Sequence, residues 1–456
     1  MSDDIPVTGR WAQRIADAGC RQWADRIHGA MASPERFRQQ SELLELVNLV
    51  RLALVVHRRC QTQALATLLD LSFEALLTIG AAGLQQDDTE NETEGFRGHN
   101  DFLREALQLI SILEHRGASV SPHYLAAARF QAGVLNGSSD RRHYIERAVD
   151  TAQQSHERVM ALLTYARFQV DISQYPQARR VLELCGPLIV ADSDLETFRT
   201  DYERTLGLTY YYSHPRTASQ HFKNAVESAR AFPDDSYNQQ AGAAAQHYLG
   251  RLAADVGDYH RAIELFADAD RQHDGYMASH GFYHQRVAEI LVDHGTLEDT
   301  AYHLEKAEDA FDRVDHDSNG RTLLAGTRAR FHRRQGNVQT AEEILERFVT
   351  KARATREPRV ELVLLAEQLR LRIHQRSWSR IPRILLRGAH LYVRHESGTG
   401  PKAALQLITV FRQGWRMLRP RRSSDQQAML PCPCGLEDHK GRLSLSGGEG
   451  VPPRPR

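Results

Sequence analysis

The feature that most constrains this chain is a small–large–small pattern that returns about every forty residues. It is clearest in AAAQHYLGRLAADVGDYHRAIELFADADR, Ala243 to Arg271, where Ala262, Phe266 and Ala269 carry it. The same three positions are held by Ala178, Leu182 and Cys185, and by Ala218, Phe222 and Ala225. They return as Thr300, Leu304 and Ala307, as Ala341, Leu345 and Phe348, and in degenerate form as Ile381, Leu385 and Gly388. Successive first positions lie 40, 44, 38, 41 and 40 residues apart. Twelve positions upstream stands a further small residue, at Ala166, Gly250, Ala288 and Ala329. In the Ala218 copy that place falls on Leu206, and the adjacent Gly207 serves if the turn is one residue shorter. Residues four and three apart share one face of a helix. The pattern therefore describes two helices that approach closely over small side chains, with a large one filling the gap. Gly257-Asp258-Tyr259 supplies the turn between them in the clearest copy.

A hairpin of this kind cannot bury its apolar face alone and must stack on its neighbours. The residues quoted resemble a tetratricopeptide repeat, whose period is about 34 residues. The longer period here corresponds to about one to two extra helical turns per unit, at 3.6 residues per turn. Extended repeats of this length resemble those in the sensor arms of bacterial regulators. The resemblance implies an all-α chain, a right-handed superhelical solenoid of stacked antiparallel helix pairs that binds proteins or peptides. Weaker copies are read upstream at Ile145 with Ala148 and at Ala106 with Ile110.

Strand signals are nearly absent, because no alternating β-branched runs are bounded by Asn-Gly or Asp-Gly turns. Residues 1–82 read as amphipathic helices, with Leu43, Leu44, Val47, Val50 and Leu54 on one stripe and Leu65, Leu68, Leu69 and Phe73 on another. Residues 83–98 read as an acidic loop carrying Asp87, Asp88, Glu90, Glu92 and Glu94. The solenoid is expected over 99–395, a basic capping helix over 396–422, and a disordered Pro-, Ser- and Gly-rich tail over 423–456. No signal-peptide pattern is visible at the amino end, and no apolar run approaches the roughly 20 residues needed to span a bilayer. The five cysteines are scattered, which favours a reducing cytoplasm over a disulfide framework. Cys185 falls on a repeat position, so packing is its expected role. The preference for Arg over Lys is associated with a GC-rich, bacterial genome.

The formal net charge is zero, with 58 basic and 58 acidic residues, yet charge is segregated. Between Gln368 and Arg422 thirteen basic residues face one acid, Glu396, a net of +12. Such a segment attracts nucleic acid, anionic lipid or an acidic protein. Phe411, Trp415 and Leu418 share one helical face within it, and Arg412, Arg416 and Arg419 lie beside them. The favoured reading is a cap that buries the aromatic face and leaves the arginines in water.

Motifs for chemistry are missing. There is no GxxxxGK[ST] loop, no GxGxxG after a strand, no GxSxG elbow and no HExxH. Cys432, Cys434 and His439 sit in PCPCG and its sequel, which resembles the start of a SEC-C zinc motif. Leu443 and Ser444 stand where that motif has its second ligand pair, and three donors fall short of the usual four. His280 and His284 are four apart and could share a face, with His273 and Asp293 near in sequence, but no full ligand set is apparent. No metal and no cofactor are expected.

In the tetratricopeptide family the first helix of each hairpin lines the groove. Transferring its outward positions gives Arg167 and Asp171, then His247, Arg251 and Asp255, then Gln285, Glu289 and Asp293, then Gly326, Arg330, Arg333 and Arg334. The Ala218 copy contributes Tyr210 and Tyr211. The Lys and Asn clamp of the family's chaperone-binding members is absent, and Arg, His and Tyr suit an acidic or carboxylate-bearing peptide instead. The sequence is read as a cytoplasmic bacterial scaffold or adaptor without enzymatic activity. Three other readings stay open: a peptide-sensing regulator, a nucleic-acid binder using the basic segment, and a metal-assisted hydrolase.

Overall fold

The computed structural model describes residues 92–395, apart from 134–138, 173, 273–276, 314–317 and 355–357, together with helical pieces within 62–73. The expectations for residues 1–61, for the basic helix with Arg412, Arg416 and Arg419, and for Cys432, Cys434 and His439 lie outside the described residues.

Among the described residues from Glu92 on, every regular element is helical. The α-helices are α1 (Glu92–His115), α2 (Ser121–Gly133), α3 (Ser139–Thr151), α4 (Ser155–Asp171), α5 (Tyr175–Ala191), α6 (Arg199–Tyr210) and α7 (Pro215–Arg230). They continue as α8 (Ser236–Asp255), α9 (Tyr259–Gln272), α10 (Met277–His294), α11 (Leu297–Asp312), α12 (Ser318–Arg334), α13 (Val338–Ala354), α14 (Pro358–His374) and α15 (Ile381–His395). Helix α1 begins at Glu92, so 92–98 is helix where the acidic loop was expected. Residues 92–98 are polar, but no Pro or Gly-rich turn separates them from the apolar stripe that follows, and the helix simply extends back into them.

The fold divides into two compact units. In the first, ending at Gly242, α2 packs on α3, α4 on α5 and α6 on α7, and the first helices α2, α4 and α6 also touch in series. Its core includes Phe73, Phe102 and Phe130, edge to face at 5.1–6.1 Å. In the second, from Ala243, the same order holds for α10 on α11 and α12 on α13, and α10, α12 and α14 touch in series. This is the pairing that the forty-residue pattern requires.

The anchors lie where the pattern places them. Ala178, Ala218, Ala262, Thr300 and Ala341 are fully buried. Thr300 is tolerated at a small-residue place because its hydroxyl donates back to the Thr296 carbonyl, 2.6 Å away. In the α12–α13 hairpin Val349 is more deeply buried than the expected Phe348. Glycine is required where rings press on the first helix. A Cβ on Gly250 would lie 2.6 Å from Cε1 of Phe266, and one on Gly207 would lie 2.6 Å from Cε1 of Phe222. Gly207, not Leu206, is therefore the small residue of its hairpin. A third copy of this contact, Gly281 on Phe311, sits two turns away from the Ala288 anchor.

One turn closes four of the hairpins and junctions. At Gly257 (φ 88°) the chain adopts a left-handed conformation, and the Asp258 amide reaches back to the Ala253 carbonyl at 3.0 Å. Gly117 and Gly336 repeat this geometry, and Arg376 (φ 57°) does so with a side chain attached. This is the Schellman stop, for which glycine is the low-cost residue.

Candidate functional site

In each unit the first helices carry the polar residues of interest. A small buried residue is followed by a charged one on α2 (Ala128–Arg129), α4 (Ala166–Arg167), α8 (Gly250–Arg251), α10 (Ala288–Glu289) and α12 (Ala329–Arg330), and on α14 the exposed Ala366 is followed by the buried Glu367. Within each unit these charges fall on the face where its first helices meet, and they form a ladder there; α6, where Leu208 follows Gly207, has none.

In the second unit the ladder is charge-balanced. Arg330 lies 3.0 Å from both Glu289 and Asp293 and 3.6 Å from Glu367. Arg286 adds a contact to Glu289 at 2.5 Å, and Arg370 pairs with Glu367. Burial pushes the Glu289 carboxyl up, but Arg286 and Arg330 outweigh it and hold it at about 2. Burial likewise disfavours charge on Arg330, and Glu367, Glu289 and Asp293 reverse that and raise its pKa. Arg330 was expected to be an exposed groove residue. Its side chain is only 11% exposed and ties three helices together, so its role is structural. Arg334, which is exposed, donates to the Leu291 and Val292 carbonyls and satisfies the carboxyl end of α10. Arg333 is half-buried. Gln285 is buried and donates to Thr327 at 3.0 Å. His247 is held well below its ordinary pKa by burial and by Arg286 and Arg251. Arg251 lies over the Tyr248 ring at 5.6 Å.

The first unit is arranged otherwise. Asp201 of α6 is fully buried and is contacted by Arg204 at 2.5 Å, by Arg167 at 3.1 Å and by the Tyr237 hydroxyl at 2.8 Å. Burial alone would raise its pKa; Arg204 and Arg167 outweigh that and hold it below the ordinary carboxylate value. Arg167 also donates to Tyr237 and Thr164, at 3.0 and 3.1 Å. Arg129 is exposed and makes no hydrogen bond or ion pair among the described residues. Its pKa is lowered by desolvation and by the like charge of Arg167. Two guanidiniums thus meet on one buried carboxylate, and a third, Arg129, stands near one of them.

The sequence reading missed Arg129, Arg204, Asp201 and Tyr237. The Ala128–Arg129 pair was a visible signal, since it repeats Ala166–Arg167. Tyr210 and Tyr211 do not join this site. Tyr211 is 6% exposed and packs near Phe222, and Tyr210 stacks on His221 of α7 with Arg179 of α5 over its ring. Both face second helices. Asp171 is exposed, 3.5 Å from Arg141 of α3.

The expected histidine pair does share a face, but with other partners. His280 Nδ1 lies 2.9 Å from Asp270, its Nε2 lies 3.1 Å from His284 Nε2, and His284 Nδ1 lies 2.7 Å from His303 Nδ1. Burial, with His303 and His280 beside it, depresses His284 to about 2. Asp293 turns to Arg330 instead, and His273 is outside the described residues. Among the described residues no group of three or more His, Cys, Asp or Glu is placed to hold a metal ion.

The basic segment is also partly compensated. Arg372 and Arg380 pair with Glu342, Arg387 with Glu361 and Arg370 with Glu367. Glu342 is held at about 2, chiefly by its hydrogen bond from Arg372. The positive run in sequence is thus, over α14 and α15, one half of an interhelical ion network.

No family model and no curated protein matches the sequence. Among solved structures, one described as a Rap protein complexed with competence and sporulation factor superimposes with a TM-score of 0.50 at 12% identity. The match covers 80% of this chain and 99% of that one. In fold, the chain is similar to a Rap protein. That likeness supports a TPR-like helical repeat architecture, in agreement with the pairing above. No described helix is long and apolar enough to cross a membrane.

Proposed function

We propose that the chain is a bacterial cytoplasmic regulator or adaptor that works by binding a peptide or an extended protein segment on its first-helix face, without enzymatic activity. The carrying observation is the charge ladder. Within each unit, charged residues on successive first helices make a polar row along a stacked helical surface, which suits an extended partner better than a small substrate. The fold likeness to a Rap protein whose structure holds competence and sporulation factor agrees with this. The titratable groups gathered by the described helices are largely committed to one another, as ion pairs and imidazole contacts. That is the pattern of a scaffold.

The test is selection of random linear peptides displayed against the full chain, followed by photo-crosslinking of the enriched peptides. Enriched families should crosslink to α2, α4, α6, α8, α10, α12 or α14. Failure to enrich any peptide, or crosslinks confined to the second helices, would refute the reading.

A further inference from the structure

Charge balance separates two otherwise similar ladders. In the second unit the arginine on α12 is met by carboxylates from α10 and α14. That arrangement has no deficit and serves the stack. In the first unit Arg167 and Arg204 meet on the buried Asp201, and Arg129 stands within electrostatic reach of Arg167 with no ion pair of its own among the described residues, which leaves positive charge in excess beside Arg167.

The excess is also accessible. Asp201 is fully buried, so its charge is spent inward on Arg167, Arg204 and the Tyr237 hydroxyl. Arg167 keeps 31% of its side chain exposed and uses two N–H groups in hydrogen bonds, to Tyr237 and Thr164. A guanidinium has five. Arg129 is exposed, with no hydrogen bond or ion pair among the described residues, and it is not needed by Asp201. Two neighbouring forks with unused donors, one of them with no ion pair among the described residues, match the planar oxygens of a carboxylate.

Resting on the peptide-binding reading, we infer that Arg129 and Arg167 form a carboxylate-binding subsite, with Arg204, Asp201 and Tyr237 as the buried frame that holds Arg167 in place. The ligand is a carboxylate of an extended acidic peptide, from a side chain or a chain end. Arg129 is the group to perturb, because it makes no hydrogen bond or ion pair among the described residues. Arg167 and Arg204 neutralise a buried charge, and their removal would confound binding with folding.

The experiment uses the full chain and fluorescein-labelled hexaglutamate, followed by anisotropy at low salt, with hexaglutamine and carboxyl-terminally amidated hexaglutamate as further arms. Hexaglutamate should bind at least about tenfold tighter than hexaglutamine, and Arg129→Glu should remove about tenfold or more of that affinity. The melting transition should not move. Arg412→Glu, in the basic carboxyl-terminal segment, should change affinity by less than about twofold. If amidation costs as much as hexaglutamine, the chain end is the anchor; if it costs nothing, a side chain is. Absence of hexaglutamate binding, or binding insensitive to Arg129→Glu, overturns the inference. In that event, display-selected peptides that still crosslink to first helices leave the peptide-binding reading standing, and the two failures are told apart.

Discussion

The substitution that best tests the packing argument is Gly250→Ala, set against Gly326→Ala. Both glycines lie inside first helices, and in both the added methyl recovers about 1 kcal/mol of helix propensity. They differ in what the methyl meets. At Gly250 it would stand 2.6 and 2.7 Å from Cε1 and Cδ1 of Phe266 and 3.1 Å from the Ala262 carbonyl oxygen. Phe266 is 2% exposed and has little room to retreat. Overpacking of this kind costs about 1–3 kcal/mol. The balance is a net loss of up to about 2 kcal/mol. At Gly326 the nearest atom is Cγ of Glu367 at 3.6 Å, an ordinary contact, so the propensity gain should stand. Urea unfolding followed by far-UV circular dichroism reads both, with m-values compared so that a change in midpoint reports stability. Placing Gly250→Ala on a Phe266→Leu background should cancel the penalty, a coupling of about 1 kcal/mol or more in the double-mutant cycle. The reasoning fails if Gly250→Ala stabilises the chain, if Gly326→Ala destabilises it equally, or if the cycle shows no coupling.

Four more outcomes follow from the same structure. Arg376→Gly should raise the unfolding midpoint by about 1 kcal/mol, since a left-handed residue with a side chain carries about that penalty and this arginine is exposed; a lower midpoint would show that the Arg376 side chain contributes. Arg330→Glu should destabilise the second unit by about 3 kcal/mol, at the low end for a broken buried pair because Asp293 and Glu289 keep some solvent. The Glu289 contribution to stability, with its folded pKa near 2 and below the unfolded value, is fully present above about pH 4.5 and is lost as pH falls toward 2. Urea midpoints across that window should show a shallower acid slope for Glu289→Gln. In a variant whose other four cysteines are serine, Cys185 should resist a thiol reagent until the chain unfolds, because burial lifts its pKa to about 12; rapid labelling of the folded chain would contradict its placement.

The fold was legible because its constraint is periodic. Ala178, Ala218, Ala262 and Ala341 return with the packing geometry of a hairpin, and each is fully buried. The site was legible only where it obeyed the same period. Arg167, Arg251, Glu289 and Arg330 follow a small residue, and each lies on a first helix as the spacing requires. Asp201 and Tyr237 do not, and their meeting joins residues 36 apart across two hairpins. Tyr210 and Tyr211 were misplaced for a definite reason. The α6–α7 hairpin turns one residue earlier, Gly207 takes the close contact, and a slip of one residue rotates a helical position by about 100°. Exposure of Arg330 was misjudged because a sequence shows the face a residue occupies but not the carboxylates that neighbouring helices bring to it.

The imidazole row from Asp270 to His303 has a consequence in terms of proton order. While its three rings are neutral, His280 gives its Nδ1 hydrogen to the Asp270 carboxylate, so its Nε2 must accept from His284. His284 then has only Nδ1 left to accept from His303. One ordering satisfies every contact, and it points from the buried ring toward the carboxylate. A second proton on the half-exposed His280 turns its accepting nitrogen into a donor, and each bond beyond it must reverse. The polarity of the contact at His303, which has no solvent exposure, is thus tied through two hydrogen bonds to the protonation of a surface ring.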